Sequence, residues 1–146
     1  MDSVKINFNH LLFKQLMQVV YLGRWMAAAH HDDPDLSLKE VEQHVYEYAK
    51  EFGLENLIDF DDTHRKYLPS TQFEEEMSTV IQEYDDFTFW DELAWQMAER
   101  DFARKFDQAQ ILCMTDEEIF REKNLIADRY FDEFSTNGLE NLKFVG

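Results

Sequence analysis

Only two prolines, Pro34 and Pro69, and four glycines punctuate this chain of 146 residues. Proline and glycine are the residues that stop helices and set tight turns, so a chain this poor in them is committed to long helices with few turns between them. The apolar residues agree: every clear periodic segment repeats at 3.6 residues, and no strand-like alternation persists. The reading is an all-α fold, one domain over 1–146, built as a bundle of five or six helices around a long apolar first helix.

That first helix is expected over residues 5–31. Phe8, Leu12, Leu16, Val19, Leu22 and Met26 share one face, and Phe13, Val20 and Ala27 to Ala29 spread the apolar surface almost all round. Gly23 lies on this face as a point of close helix approach, and Pro34 ends the segment by pushing Asp33 out of the helical region. Ser37 with Glu40 reads as a capping box for the second helix, striped by Leu38, Val41, Val45, Tyr48 and Phe52. Gly53 then stands at its C′ position with Leu54 folding back. Residues 54–69 are less regular. Thr71 with Glu74 opens a third helix that buries Phe73, Met77, Val80, Ile81 and Tyr84. Thr88 is expected to cap a separate fourth helix striped by Trp90, Leu93, Ala94, Met97, Ala98, Phe102 and Phe106. A short helix or turn at 108–113 leads to a capping box of Thr115 and Glu118 and a last helix packing Ile119, Ile126, Tyr130 and Phe134. Gly53-Leu54-Glu55-Asn56-Leu57 recurs as Gly138-Leu139-Glu140-Asn141-Leu142, which reads as shared turn chemistry after a helix rather than as an array.

Charge narrows the function. The chain carries 31 acids against 14 Lys and Arg, a formal net charge of −17, together with 13 Phe, 6 Tyr and 3 Trp. The aromatics supply a core, so this is no disordered acidic tail. The acid sits on a folded surface, repels nucleic acid and anionic membranes, and attracts basic partners. From Tyr67 through Glu99 there is no base, while Glu74, Glu75, Glu76, Glu83, Asp85, Asp86, Asp91, Glu92 and Glu99 are all acidic. Leu11 to Ala29 is interrupted by Lys14 and Arg24, which suits a buried helix rather than a membrane span. Met1-Asp2-Ser3 is not a basic leader, and the single Cys113 suits a reducing compartment, so a cytoplasmic location is expected.

Three clusters are candidate sites. His30, His31, Asp32 and Asp35, with His64, combine imidazole and carboxylate ligands suited to a divalent metal. The plainer reading of this cluster is a helix end, since histidines favour a helix C-terminus and aspartates favour turns. Asp101 falls inside the apolar stripe of its helix and Lys123 inside that of the last helix, so they form a candidate buried ion pair, with Arg24, Arg104 and Arg129 as other partners. Phe89 and Trp95, flanked by Glu92 and Glu99, form a candidate protein interface. His44 reads as a packed core histidine and Cys113 as a small buried residue. No nucleotide-binding loop, catalytic triad order, Cys-x-x-Cys pair or zinc-protease helix is present.

Two resemblances bear on function. The His31-Asp32 doublet after an Ala-rich helix resembles the histidine–aspartate pair of HD-type phosphohydrolases. The match covers two residues, and His10 is poorly placed for the upstream ligand that family needs. The stretch from Phe89 to Lys105, with Phe-Trp-Asp-Glu-Leu and Ala-Glu-Arg-Asp, and the ending Phe131 to Phe144 resemble a group of short, acidic, helical bacterial proteins without assigned function. That likeness covers about a third of the chain and implies a bacterial cytosolic origin and no mechanism.

The leading expectation is a non-enzymatic interaction or adaptor protein with a basic protein partner, no cofactor, no nucleic acid and no membrane, with self-association as a second mode. The alternatives are a metal-dependent, HD-like hydrolase using the His30–Asp35 cluster, and a nucleic-acid mimic that occupies a basic groove. Affinity for nucleic acid is drawn from Lys and Arg neutralising phosphates. Gel shifts with duplex DNA and RNA at physiological salt should therefore show no complex at micromolar protein.

Overall fold

The structure is a computed structural model and describes residues 5–30 and 36–143. Among the described residues the chain forms α1 (His10–Ala28), α2 (Leu36–Glu47), β1 (Ile58–Asp61), β2 (Lys66–Pro69), α3 (Thr71–Lys105), α4 (Gln108–Cys113) and α5 (Asp116–Asn137). Short 3₁₀ helices follow α2 at Ala49–Phe52 and Glu55–Leu57. The fold is all-α apart from the small hairpin. The residues treated above as one domain divide into two compact units, Met1–Gln82 and Glu83–Gly146.

In the first unit, Asn9 rather than Lys5 starts α1: its side chain accepts a hydrogen bond from the Leu12 N–H at 2.9 Å. The helix is not wrapped on all sides. It fully buries only Phe13 and Met17, while Leu12, Val19 and Met26 of the expected inner face are exposed. A helix apolar nearly all round gives periodicity no face to choose. Tertiary contacts make the choice: Phe13 stacks on Phe52 with ring centroids 4.0 Å apart, and Tyr21 meets Phe73 edge-on. Burying one such ring is worth about 1.5–3 kcal/mol, more than the typical ~1 kcal/mol of a cap. α2 is rotated in the same way. Its inner residues are Glu42 and Tyr46, followed by Ala49, while Leu38, Val41 and Tyr48 are exposed. Ser37, expected before this helix, is already helical, and its side chain lies outside the described residues. A Cβ on Gly23 would meet nothing within 4 Å, so no neighbour uses it for close approach.

Gly53 does end its segment as expected. It adopts φ +68, ψ 32, with its N–H bonded to the Lys50 carbonyl at 3.1 Å and that of Leu54 to the Ala49 carbonyl at 2.9 Å. Leu54 is buried behind it. The hairpin that follows corrects the expectation of no strands. β1 and β2 pair antiparallel, with Phe60 opposite Tyr67, and their rings lie 4.9 Å apart. Four-residue strands carrying Asp59 and Asp61 leave no alternation long enough to read, and aspartate is depleted in strands. Asp61 shapes the turn by accepting from the Thr63 N–H at 2.8 Å and from His64 Nδ1 at 2.7 Å.

Ser70, one residue before the expected Thr71, opens α3, its Oγ accepting from the Phe73 N–H at 3.4 Å. α3 then runs through Thr88 to Lys105 without a break. A capping residue only offers the backbone an alternative bond, and with no glycine or proline between Thr71 and Lys105 nothing stops the helix. Phe73 and Met77 join the first unit's core, while Val80 and Tyr84, expected inside, are exposed.

In the second unit α3 packs Ala98 and Phe102 against Ile126 and Ala127 of α5. α4 and α5 both open on the reciprocal capping boxes of Asp107 with Gln110 and Thr115 with Glu118. Cys113, expected to be buried, is exposed at the end of α4. Gly138 ends α5 with φ +56, ψ −129, a region glycine alone enters readily. In both copies of the repeated pentapeptide the last leucine N–H bonds the first leucine carbonyl at 3.0 Å, Leu57 to Leu54 and Leu142 to Leu139. The first pair is buried and the second exposed, so the pentapeptide encodes a turn and not its environment.

Gly53→Ala places a Cβ in a left-handed conformation, which costs about 1–2 kcal/mol. Urea unfolding followed by circular dichroism should show that loss; a change within about 0.5 kcal/mol would mean that the turn relaxes without strain.

Candidate functional site

α3 meets α5 through a line of charged and aromatic contacts. Arg100 Nε donates to Asp101 Oδ1 at 2.9 Å, and Arg100 Nη2 donates to the Tyr130 hydroxyl at 3.0 Å. The Tyr130 hydroxyl donates in turn to Asp101 Oδ2, and Arg104 lies 3.7 Å from the same carboxylate. Farther along, Lys105 bonds Glu122 at 2.8 Å, and Lys123 bonds Glu99 at 2.6 Å. The expected Asp101–Lys123 pair is therefore replaced by two separate pairs. Asp101 is also not buried, its side chain being 30% exposed. It lies at the margin of the α3 stripe, where its carboxylate reaches a neighbouring arginine and a tyrosine on α5. The Arg100 guanidinium first, then the Tyr130 hydroxyl, hold the Asp101 carboxyl below its usual range. Burial first, then Asp101, push the Tyr130 phenol up.

The interface residues separate. Trp95 is half-buried against the core of the second unit, 6.5 Å from the Phe131 ring, and Glu99 is engaged by Lys123. Phe89 is 49% exposed and meets Trp90 edge-on, while Trp90 packs toward Phe134. Glu92 is exposed. Tyr84 and Phe87, three residues apart and so on one helix face, are exposed by 51% and 70%. From Glu83 to Glu92 no residue of α3 is fully buried. Over this stretch Glu83, Asp85, Asp86, Asp91 and Glu92 are acidic, and no base is present.

Of the metal candidates, His31, Asp32 and Asp35 lie outside the described residues. His30 is exposed just after α1, and His64 is exposed on the hairpin, bonded to Asp61. Among the described residues no three His, Cys, Asp or Glu side chains are grouped to hold a metal ion. His44 is exposed, against expectation, 3.9 Å from Glu47.

Sequence reasoning missed one buried polar cluster, in the first unit. Glu42 is 6% exposed and is bridged by Arg24 Nε at 3.1 Å. Burial raises the Glu42 pKa despite the opposing arginine. The buried Tyr46 hydroxyl faces this carboxylate without a hydrogen bond of ordinary geometry, and burial pushes its pKa far up. The signal was the i, i+4, i+7 spacing of Glu42, Tyr46 and Ala49, hidden because an acid is seldom assigned to an inner face.

No family model, curated protein or solved structure matches the chain.

The two carboxylates give opposite pH signatures. Asp101 has a depressed folded pKa, so its contribution is present above the ordinary aspartate range and is lost as pH falls through the folded value. Glu42 has a raised folded pKa, so its contribution is full below the ordinary glutamate range and is lost as pH rises through the folded value. Urea melts between about pH 3 and pH 7 should show Asp101→Asn destabilising by about 1 kcal/mol near neutrality, a hydrogen-bonded charge discounted for solvent screening, with the gap closing in acid. Glu42→Gln should instead gain on the wild type as pH rises. Reversed slopes would mean that these carboxylates sit in other surroundings.

Proposed function

We propose that this chain is a non-enzymatic acidic interaction protein that docks a basic, amphipathic segment of a partner protein on α3 between Glu83 and Glu92. The observation that carries this reading is the pairing of exposed aromatics with unrelieved acid on one helix: Tyr84, Phe87 and Phe89 are exposed by 51%, 70% and 49%, among five acids and no base. Charge alone steers encounter and is screened by salt. Aromatics are what supply affinity once water is excluded. Together they favour a partner with an apolar stripe flanked by Lys and Arg. They disfavour a second copy of the same acidic stretch, which would bring like charges together.

The test uses a labelled amphipathic helix with a leucine stripe and Lys/Arg flanks, read by fluorescence anisotropy against the full chain. Binding should weaken as salt rises. Phe87→Ser or Tyr84→Ser should weaken it about tenfold or more, the usual effect of losing an aromatic hot spot, and the same helix with Glu flanks should not bind. Affinity unchanged in both serine variants would rule out this face, and no binding by the basic helix would rule out the partner class.

A further inference from the structure

Arg24 of α1, Lys39 of α2 and Lys66 of β2 converge in the first unit on a cavity of about 420 Å³ walled by the rings of Tyr21, Trp25 and Tyr67. In a chain with 31 acids to 14 Lys and Arg, that concentration of cations runs against the composition. The carboxylates at the lining are Glu42 and Glu74. Glu42 is buried and already bridged by Arg24. Lys39 and Lys66 are half-buried, and neither makes an ion pair within 4 Å among the described residues. Asp61 stands opposite Lys66 in the hairpin register, but its oxygens are taken by the Thr63 and His64 N–H groups and the His64 ring. Glu42 attracts Lys39 and Asp61 attracts Lys66 from beyond ion-pair distance, so partial burial of each ammonium gives up solvation that these carboxylates, already engaged elsewhere, return only in part.

The cavity is also held open by structure. The Gln43 side chain donates to the Tyr67 carbonyl and accepts from the Tyr67 N–H, both at 2.8 Å, clamping α2 to β2. Lys39 lies one helical turn before Gln43, and Lys66 directly precedes Tyr67, so the clamp fixes the backbone from which both ammonium groups extend. Fixing the positions of binding groups in advance lowers the ordering cost of a ligand. A volume near 420 Å³ is in the range of small-molecule sites, with a mostly apolar wall and a few converging polar groups.

We infer that this cavity binds a small organic anion with a planar aromatic body, its charge held by Lys39 and Lys66 and its ring set against Trp25 and Tyr67. The site lies on other residues than the α3 docking face and stands whether or not that face binds a partner. Aryl phosphates and aryl carboxylates share the required chemistry, and the arms of the test separate them.

The test is an NMR titration of the full ¹⁵N-labelled chain with phenyl phosphate, and separately with benzoate, inorganic phosphate and benzyl alcohol. Saturable shifts of the Trp25 indole N–H and the Tyr67 amide are expected with phenyl phosphate or benzoate, the tighter of the two identifying the anionic group. Inorganic phosphate lacks the ring and benzyl alcohol the charge, so each should bind about tenfold more weakly or less, a difference of about 1.4 kcal/mol. The double variant Lys39→Gln, Lys66→Gln should lose about tenfold in affinity with its helical circular dichroism unchanged. Lys39→Arg, Lys66→Arg should retain binding, and Phe87→Ser should leave it untouched. No shift with either aryl anion at about 10 mM, equal affinity for benzyl alcohol, or an unaffected Gln variant would overturn the inference. So would binding that appears only after Asp32→Asn, Asp33→Asn and Asp35→Asn, because the chain's own acids would then be what the lysines hold.

Discussion

One unbroken helix supplies a wall to each of two hydrophobic cores. α3 gives Phe73 and Met77 to the first and Ala98 and Phe102 to the second, within Thr71–Lys105. The physical requirement is simple: thirty-five residues without proline or glycine, so that every backbone N–H after the first turn finds its carbonyl. Its own packing then falls at its two ends. Between Met77 and Ala94 nothing on the helix is fully buried, and this is where its acids and exposed aromatics collect. Apart from Trp90, which packs toward Phe134, that stretch leans more on backbone hydrogen bonding than on side-chain packing.

The two units solve the problem of burial differently. The first relies on aromatic contacts and large side chains, with Met17, Tyr46 and Phe73 almost wholly removed from water. It accepts a buried carboxylate, Glu42, at the cost of an arginine committed to it. The second has a core of small residues beside Phe102 and Ile126 and ties α3 to α5 with ion pairs at the margin. Each of those pairs has one exposed partner and contributes little. Their value lies in register, since Lys123 and Lys105 each reach one acid on the facing helix.

Helix existence was legible wherever a stop or start signal was chemical. Gly53 with Leu54 and Thr115 with Glu118 do what their side chains and φ preferences require, whereas the box of Asp107 with Gln110 was not read from the sequence. Helix phase was not legible in α1 and α2. Both carry apolar residues on more than one side, and both turned by about one residue from the expected face, as Phe13 and Met17, and Tyr46 and Ala49, were drawn inward. Thr88 misled because a residue that caps well is also tolerated inside a helix. The hairpin escaped notice because its strands are short and carry aspartate. At the candidate sites the same division holds. The acidic run from Tyr67 to Glu99 was plain, but which aromatics it surrounds was not: Trp95 turns toward the core, and Tyr84 and Phe87 take the exposed place.

What the sequence determined by itself is part of what depends on neighbours within about five residues: helical class, the Thr115 capping box, the two glycine turns and the field of a chain with net charge −17. Tertiary structure alone decided which face of each apolar helix is buried, that Asp101 pairs with Arg100 and Tyr130 while Lys123 pairs with Glu99, and that Lys39 and Lys66 share one cavity wall. The reason is that backbone hydrogen bonds and caps are satisfied locally. Burial and charge pairing are settled by residues far apart in the chain, such as Phe13 with Phe52 or Gln43 with Tyr67, whose meeting no periodicity encodes.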